Sequence, residues 1–185
     1  VEEYAKMLFP SGIDLPDNCD SIFTKEKIKD NHTFYFQPSF LTDSGAFARI
    51  DILEKLNNNS YHIFEVKSST SIKTDSKHNH LKDISFQKYV CENSGLNISK
   101  LSIIYLNKDF IRNGNIQPED LLVVEDVTEQ VESLYDIVKI EVNNALNFII
   151  KKSISENQCS CKFNTRTNHC DSFSYFNKNV TDFSI

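Results

Sequence analysis

Two carboxylates and an ammonium group stand close together in two strand-like runs of this chain. Asp51 lies in Arg49-Ile50-Asp51-Ile52-Leu53, and Glu65 and Lys67 lie in His62-Ile63-Phe64-Glu65-Val66-Lys67. The runs are separated by Asn57-Asn58-Asn59-Ser60, a turn by composition. Side chains alternate along a strand, so Glu65 and Lys67 share one face while Phe64 and Val66 take the other. Pairing of the two runs as a hairpin brings Asp51 beside Glu65. Such a set suits a divalent-metal phosphodiesterase. Carboxylate oxygens bind Mg²⁺ or Mn²⁺. The ion polarises a phosphodiester and lowers the pKa of a water. The lysine orients the nucleophile or offsets developing negative charge. The same residues also suit a surface hairpin carrying an ordinary Glu/Lys ion pair.

The next helical run adds His80, Asp83 and Gln87, at i, i+3 and i+7 and so on one face. This face either lines the cleft beside the carboxylates, with Gln87 steadying a ligand, or is a solvated helix face. Ser68, Ser69 and Thr70, directly after Lys67, either meet phosphates or end the strand.

The elements that must position these groups follow from periodicity and breakers. Glu2 to Leu8 reads as a helix stopped by Pro10-Ser11-Gly12. Asn18 to Lys29 is a second helix, with Asp20 or Asn18 as cap. Thr33 to Phe40 is an aromatic strand interrupted by Pro38. The hairpin is expected at 46–54 and 61–67. Thr74 to Asn93 is expected as a helix closed by Ser94-Gly95, and Leu101 to Leu106 and Leu121 to Val127 as strands. A long helix starts at Thr128 with the stripe Val131, Leu134, Val138, Val142, Ala145, Leu146 and Ile149. This order predicts an α/β domain, one mixed sheet with helices on its faces.

At 185 residues the chain is long enough for one domain with a real core. It is 39% hydrophobic and 25% charged, an ordinary globular mixture. No apolar run approaches a membrane span of about 18–20 residues. A net charge of −6 does not favour a non-specific coat for nucleic acid, and it permits an enzyme whose acidic ligands are offset by a metal. The start, Val1-Glu2-Glu3-Tyr4, reads as mid-helix, so a piece of a longer protein is expected. Five cysteines, an odd number without a secretory signal, argue against a disulfide framework and for the cytoplasm. Residues 1–152 are expected as the core and 153–185 as a cysteine-bearing tail.

The runs Phe64-Glu65-Val66-Lys67-Ser68-Ser69-Thr70 and Asp83-Ile84-Ser85-Phe86-Gln87-Lys88-Tyr89 resemble, with Arg49-Ile50-Asp51, the PD-(D/E)XK nuclease superfamily. More narrowly, the chain looks like a bacterial domain of unknown function in the RecB-like branch, near the CRISPR-associated adaptation nucleases. The resemblance implies a restriction-endonuclease-like core: a mixed central sheet flanked by helices. It implies metal binding by Asp51 and Glu65, catalysis by Lys67 and support from Gln87, with Gln37, Asp83 and Ser68 around them. It implies nucleic acid, DNA in particular, as substrate; the mid-helix start adds other domains of a longer polypeptide as expected neighbours. Two positions depart from the family. Gln37 stands where the family commonly has Glu, and Tyr89 follows Gln87 by two where relatives have Gln-x-x-x-Tyr.

Cys159, Cys161 and Cys170 form a soft-ligand cluster beside His169. Several RecB-like nucleases hold a [4Fe–4S] cluster with one cysteine before the core and three after it, which the resemblance would transfer to these three plus Cys19 or a residue outside this chain. A zinc site with His169 and three free thiols are the alternatives. Two classes of function therefore stand side by side: a metal-dependent nuclease, and a catalytically weak nuclease-fold module that binds nucleic acid or a protein within a larger repair or defence protein. A scaffold without a nucleic-acid role is a third.

Overall fold

The computed structural model describes residues 1–16, 18–30, 32–151 and 175. The chain divides into two compact units, Val1–Leu146 and Asn147–Ile185. The sheet and every candidate nuclease residue belong to the first.

The strands of the main sheet are β1 (Ile13–Asp14), β2 (Phe34–Phe36), β5 (Ile52–Lys55), β6 (Tyr61–Val66), β7 (Ile98–Leu106) and β8 (Leu122–Asp126), adjacent in that order. Two further strands, β3 (Ser39–Leu41) and β4 (Phe47–Arg49), form a separate small antiparallel pair. The main sheet is mixed: β1/β2 and β6/β7 are parallel, and the other pairings are antiparallel. The parallel β6/β7 pair requires a crossover, which α3 (His80–Asn93) supplies. The expected α/β architecture, a mixed sheet flanked by helices, is the observed one.

Both faces of the central strands are buried, which explains their near-continuous apolar runs. Leu53, Ile63, Leu101 and Ile103 pack with Ile84, Val90 and Cys91 of α3 and with Val131 and Tyr135 of α5 (Thr128–Ile149). Ile52, Phe64 and Ile104 pack on the other face with Ala5 of α1 (Glu2–Met7) and with Leu122. Ile52, Leu53, Ile63 and Ile103 are wholly buried, and each such side chain contributes about 1.5–3 kcal/mol. Gly12 lets α1 close onto this second layer. A Cβ there would lie 2.2 Å from Cζ of the buried Phe36.

Several boundaries differ from expectation for identifiable reasons. The run expected as one strand at 46–54 is two, because the chain changes sheets at Ile50-Asp51. It had left the main sheet at Gln37-Pro38, and the two crossings are tied together by Gln37 N–H to Asp51 O (3.1 Å) and Ile50 N–H to Pro38 O (2.9 Å). Residues 74–79 form a turn rather than the first turns of α3. The Asn79 side chain caps that helix by accepting the Lys82 N–H at 3.0 Å. The second helix, α2 (Ser21–Lys27), is capped by Asp20, whose carboxylate accepts the Phe23 N–H at 2.7 Å. A short α4 (Pro118–Leu121) and β1 have no counterpart in the sequence reading. On α5, Val131 and Val138 are buried as expected, Leu134, Val142 and Leu146 are half-buried, and Ala145 and Ile149 are exposed. Tyr135 supplies the missing core contact.

Candidate active site

Asp51 stands on the corner where β4 hands over to β5. The β5/β6 register pairs Ile52 with Phe64, and carrying it one residue further sets Asp51 opposite Glu65. The two carboxylates therefore share a face at one end of the sheet. Asp51 Oδ2 accepts the Val66 N–H at 2.8 Å, and Oδ1 accepts from Gln37 Nε2 at 3.3 Å. Burial first, and the charge of Glu65 second, push its pKa up to about 7.

Glu65 is 8% exposed and both its oxygens are held. Oε2 accepts from Gln87 Nε2 at 2.5 Å, and Oε1 lies 2.7 Å from Lys67 Nζ. Lys67 also donates to Asp83 Oδ2 at 2.8 Å. Burial alone would lower the Lys67 pKa, but its hydrogen bonds to Asp83 and Glu65 outweigh that and the net shift is upward. Lys67 is thus a fixed cation here and not a base. The helix face formed by Asp83 and Gln87 meets the ExK strand end. Gln87 Oε1 is buried there without a hydrogen-bond partner.

His80 has a different task. Its Nδ1 accepts the Lys73 N–H at 3.2 Å, which fastens the loop before α3. Burial, followed by the nearby Lys67, lowers its pKa. Ser68 is exposed to solvent, and Ser69 donates to Ser71 O at 2.8 Å. Tyr89 turns away from the carboxylates, its hydroxyl 3.5 Å from Asn143 Oδ1 of α5.

Gln37 joins this site to the N-terminal helix. Its Nε2 donates to Glu2 Oε1 at 2.7 Å as well as to Asp51. Its φ of +58° is unusual for a side-chain-bearing residue and costs about 1–3 kcal/mol. Sequence reasoning passes over Glu2, because an acid in a first helical turn is indistinguishable from dipole compensation. A cavity of about 550 Å³, lined by Glu2, Lys6, Asp14 and Gln37 among others, opens beside it.

No group of three or more His, Cys, Asp or Glu side chains among the described residues is arranged to hold a metal ion. Asp51 and Glu65 are a pair, and a pair fits Mg²⁺, which keeps several waters and takes one or two protein carboxylates. Lys67 is paired with Glu65 and Asp83, and a second ammonium group, that of Lys6, lies 3.9 Å from Glu2. No helix among the described residues is long and apolar enough to cross a membrane. Cys19 and Cys91 are buried free thiols. Cys19 Sγ lies 3.7 Å from Thr24 Oγ1 and 3.8 Å from Gln37 O, and burial pushes the Cys91 pKa up. Cys159, Cys161 and Cys170 fall outside the described residues.

No family model, curated protein or solved structure matches this chain.

Proposed function

We propose that the protein is a Mg²⁺- or Mn²⁺-dependent nuclease that cleaves phosphodiester bonds in DNA, of the PD-(D/E)XK kind that its motifs resemble. The observation that carries this reading is the convergence of Asp51, Glu65 and Lys67 at one sheet end. Asp51 and Glu65 would hold the ion. When bound, it would polarise the phosphodiester and lower the pKa of a water. Gln87 fixes the Glu65 carboxylate, and Asp83 and Glu65 fix the Lys67 ammonium group. That ammonium group stabilises charge developing on the phosphate. Without a cation the excess of carboxylates repels a phosphodiester.

A second reading rests on Gln37. Its amide donates to Glu2 and Asp51 and brings no charge where related nucleases have Glu, which favours a catalytically weak module that binds nucleic acid or a protein partner within a larger repair or defence protein.

Incubation of the protein with single- and double-stranded DNA, in Mg²⁺, Mn²⁺ or EDTA, separates the two. Metal-dependent cleavage that Lys67→Ala removes supports the nuclease. DNA binding without cleavage supports the second reading. Cleavage unchanged in Lys67→Ala, or in EDTA, would overturn the nuclease mechanism.

A further inference from the structure

At the end of the β5–β6 hairpin remote from Asp51, a second cavity of about 480 Å³ lies between α2, the hairpin turn and the loop after α3. Its charged lining residues are Lys25, Lys29 and Lys55, with no carboxylate among them. That is notable in a chain of net charge −6. The cavity beside Gln37 has the opposite balance, with Glu2, Glu3 and Asp14 against Lys6. Asp51 and Lys55 are four residues apart, or about 13 Å along an extended strand, so this cavity is separate from the candidate active site.

The three ammonium groups are held differently. Lys55 Nζ donates to Ile28 O at 3.0 Å, which fixes it at the end of α2 and leaves two protons to donate elsewhere. Lys29 pairs with Glu26 at 2.7 Å, but both side chains are about two-thirds exposed, so the pair is weak and exchangeable. Lys25 makes no ion pair among the described residues. Asn59, Asn97 and Tyr61 add neutral polar residues to the same lining.

We propose that this cavity binds a small phosphorylated molecule, its phosphate seated among Lys25, Lys29 and Lys55 and its remainder against Tyr61. The size is that of a small-molecule site. Lys55 is already immobilised, which reduces the entropy lost on binding. Glu26, paired with the lining residue Lys29, and Asp30, paired with Lys27, would repel a long polyanion more than a compact phosphate, so a compact phosphate is favoured over a nucleic-acid backbone. This site does not depend on the nuclease reading.

Inorganic pyrophosphate is the probe, titrated calorimetrically at low ionic strength into EDTA-treated full chain. Saturable binding is expected, weakened at least about tenfold in Lys25→Glu/Lys29→Glu and unchanged in Asp51→Asn. The two lysines are exposed, so the double variant should fold, and circular dichroism checks that. Absence of saturable binding overturns the proposal, as does equal binding by the double variant. A short DNA duplex that binds at these lysines more tightly than pyrophosphate also overturns it, by making the cavity a backbone contact.

Discussion

Asp51 faces Glu65 across the β5–β6 pairing, two carboxylates on one sheet face, with Glu65 buried and Asp51 half-buried. Val66 N–H and Gln37 Nε2 supply hydrogen bonds to Asp51, yet burial and the Glu65 charge still outweigh them. The arrangement stores unfavourable electrostatic energy in the folded protein. In the proposed metal site a bound divalent ion would offset that energy.

Asp51→Asn is therefore expected to remove metal-dependent cleavage while making the protein more stable. At pH 8 the metal-free variant should exceed the parent by about 1 kcal/mol or more, because ionised Asp51 no longer has to be buried. Mg²⁺ or Mn²⁺ should raise the melting temperature of the parent and leave that of the variant unchanged. Chemical denaturation and melting curves with and without metal measure both effects. A variant less stable than the parent at pH 8 would show that Asp51 is structural.

Two buried groups give stability opposite dependences on pH. His62 is 4% exposed, with Nδ1 3.1 Å from Glu54 and Nε2 2.9 Å from Ser102. Burial first, and Lys100 second, push its pKa down to about 4. Its contribution is full above the unfolded value of about 6.5 and is lost as pH falls through about 4, a change of up to about 3 kcal/mol. Asp51 runs the other way: its raised pKa favours folding below 3.8, and that advantage disappears as pH rises through about 7. The parent should therefore show a shallow stability profile between about pH 4 and 6.5. Asp51→Asn leaves the His62 slope uncompensated, and the variant should lose stability visibly more steeply on acidification. Parallel slopes for the two proteins would refute this pairing of effects.

Gly12→Ala tests how the N-terminal helix is held. The new methyl group would meet the Phe36 ring at 2.2 Å, and Phe36 is 4% exposed with little room to move. A loss of about 1–3 kcal/mol is expected from overpacking. Because α1 carries Glu2 to Gln37, cleavage should also weaken. Denaturant midpoints check the first part; an unchanged midpoint would mean that Phe36 re-packs freely.

The sequence makes some of this legible and hides the rest. Alternation in His62-Ile63-Phe64-Glu65-Val66-Lys67 is enough to separate the two faces of β6, because strand periodicity is rigid. The i, i+3, i+7 spacing correctly puts Asp83 and Gln87 on one helix face, and their partners, Lys67 and Glu65, lie where that face meets the sheet. His80 shares the spacing but is drawn into holding a loop, a tertiary contact that periodicity does not encode. The break at Ile50-Asp51 escapes notice because nothing local interrupts Arg49-Ile50-Asp51-Ile52. The change of sheet is set by pairing with Gln37-Pro38, a long-range effect. Glu2 reaches the site only through Gln37, and the sequence separation between them conceals the contact.

Gln37→Glu tests the proposed function at the position where the nucleases that the motifs resemble commonly have Glu. At present the Gln37 amide bridges Glu2 and Asp51 as a donor. A glutamate there removes that donor and adds a third carboxylate within reach of both acids. Without metal the variant should be less stable than the parent, by about 1–3 kcal/mol, since two carboxylates lose a hydrogen bond and gain a like charge. With Mn²⁺ the extra ligand should tighten ion binding, and the stability deficit should close as the ion is added. If Gln37 is what restrains the chemistry, cleavage per bound metal should rise above the parent's. Metal titrations followed by melting temperature, alongside cleavage assays, read the two consequences separately. A variant with weaker metal affinity than the parent would place Gln37 outside the ion's coordination sphere and leave the amide a purely structural bridge between Glu2 and Asp51.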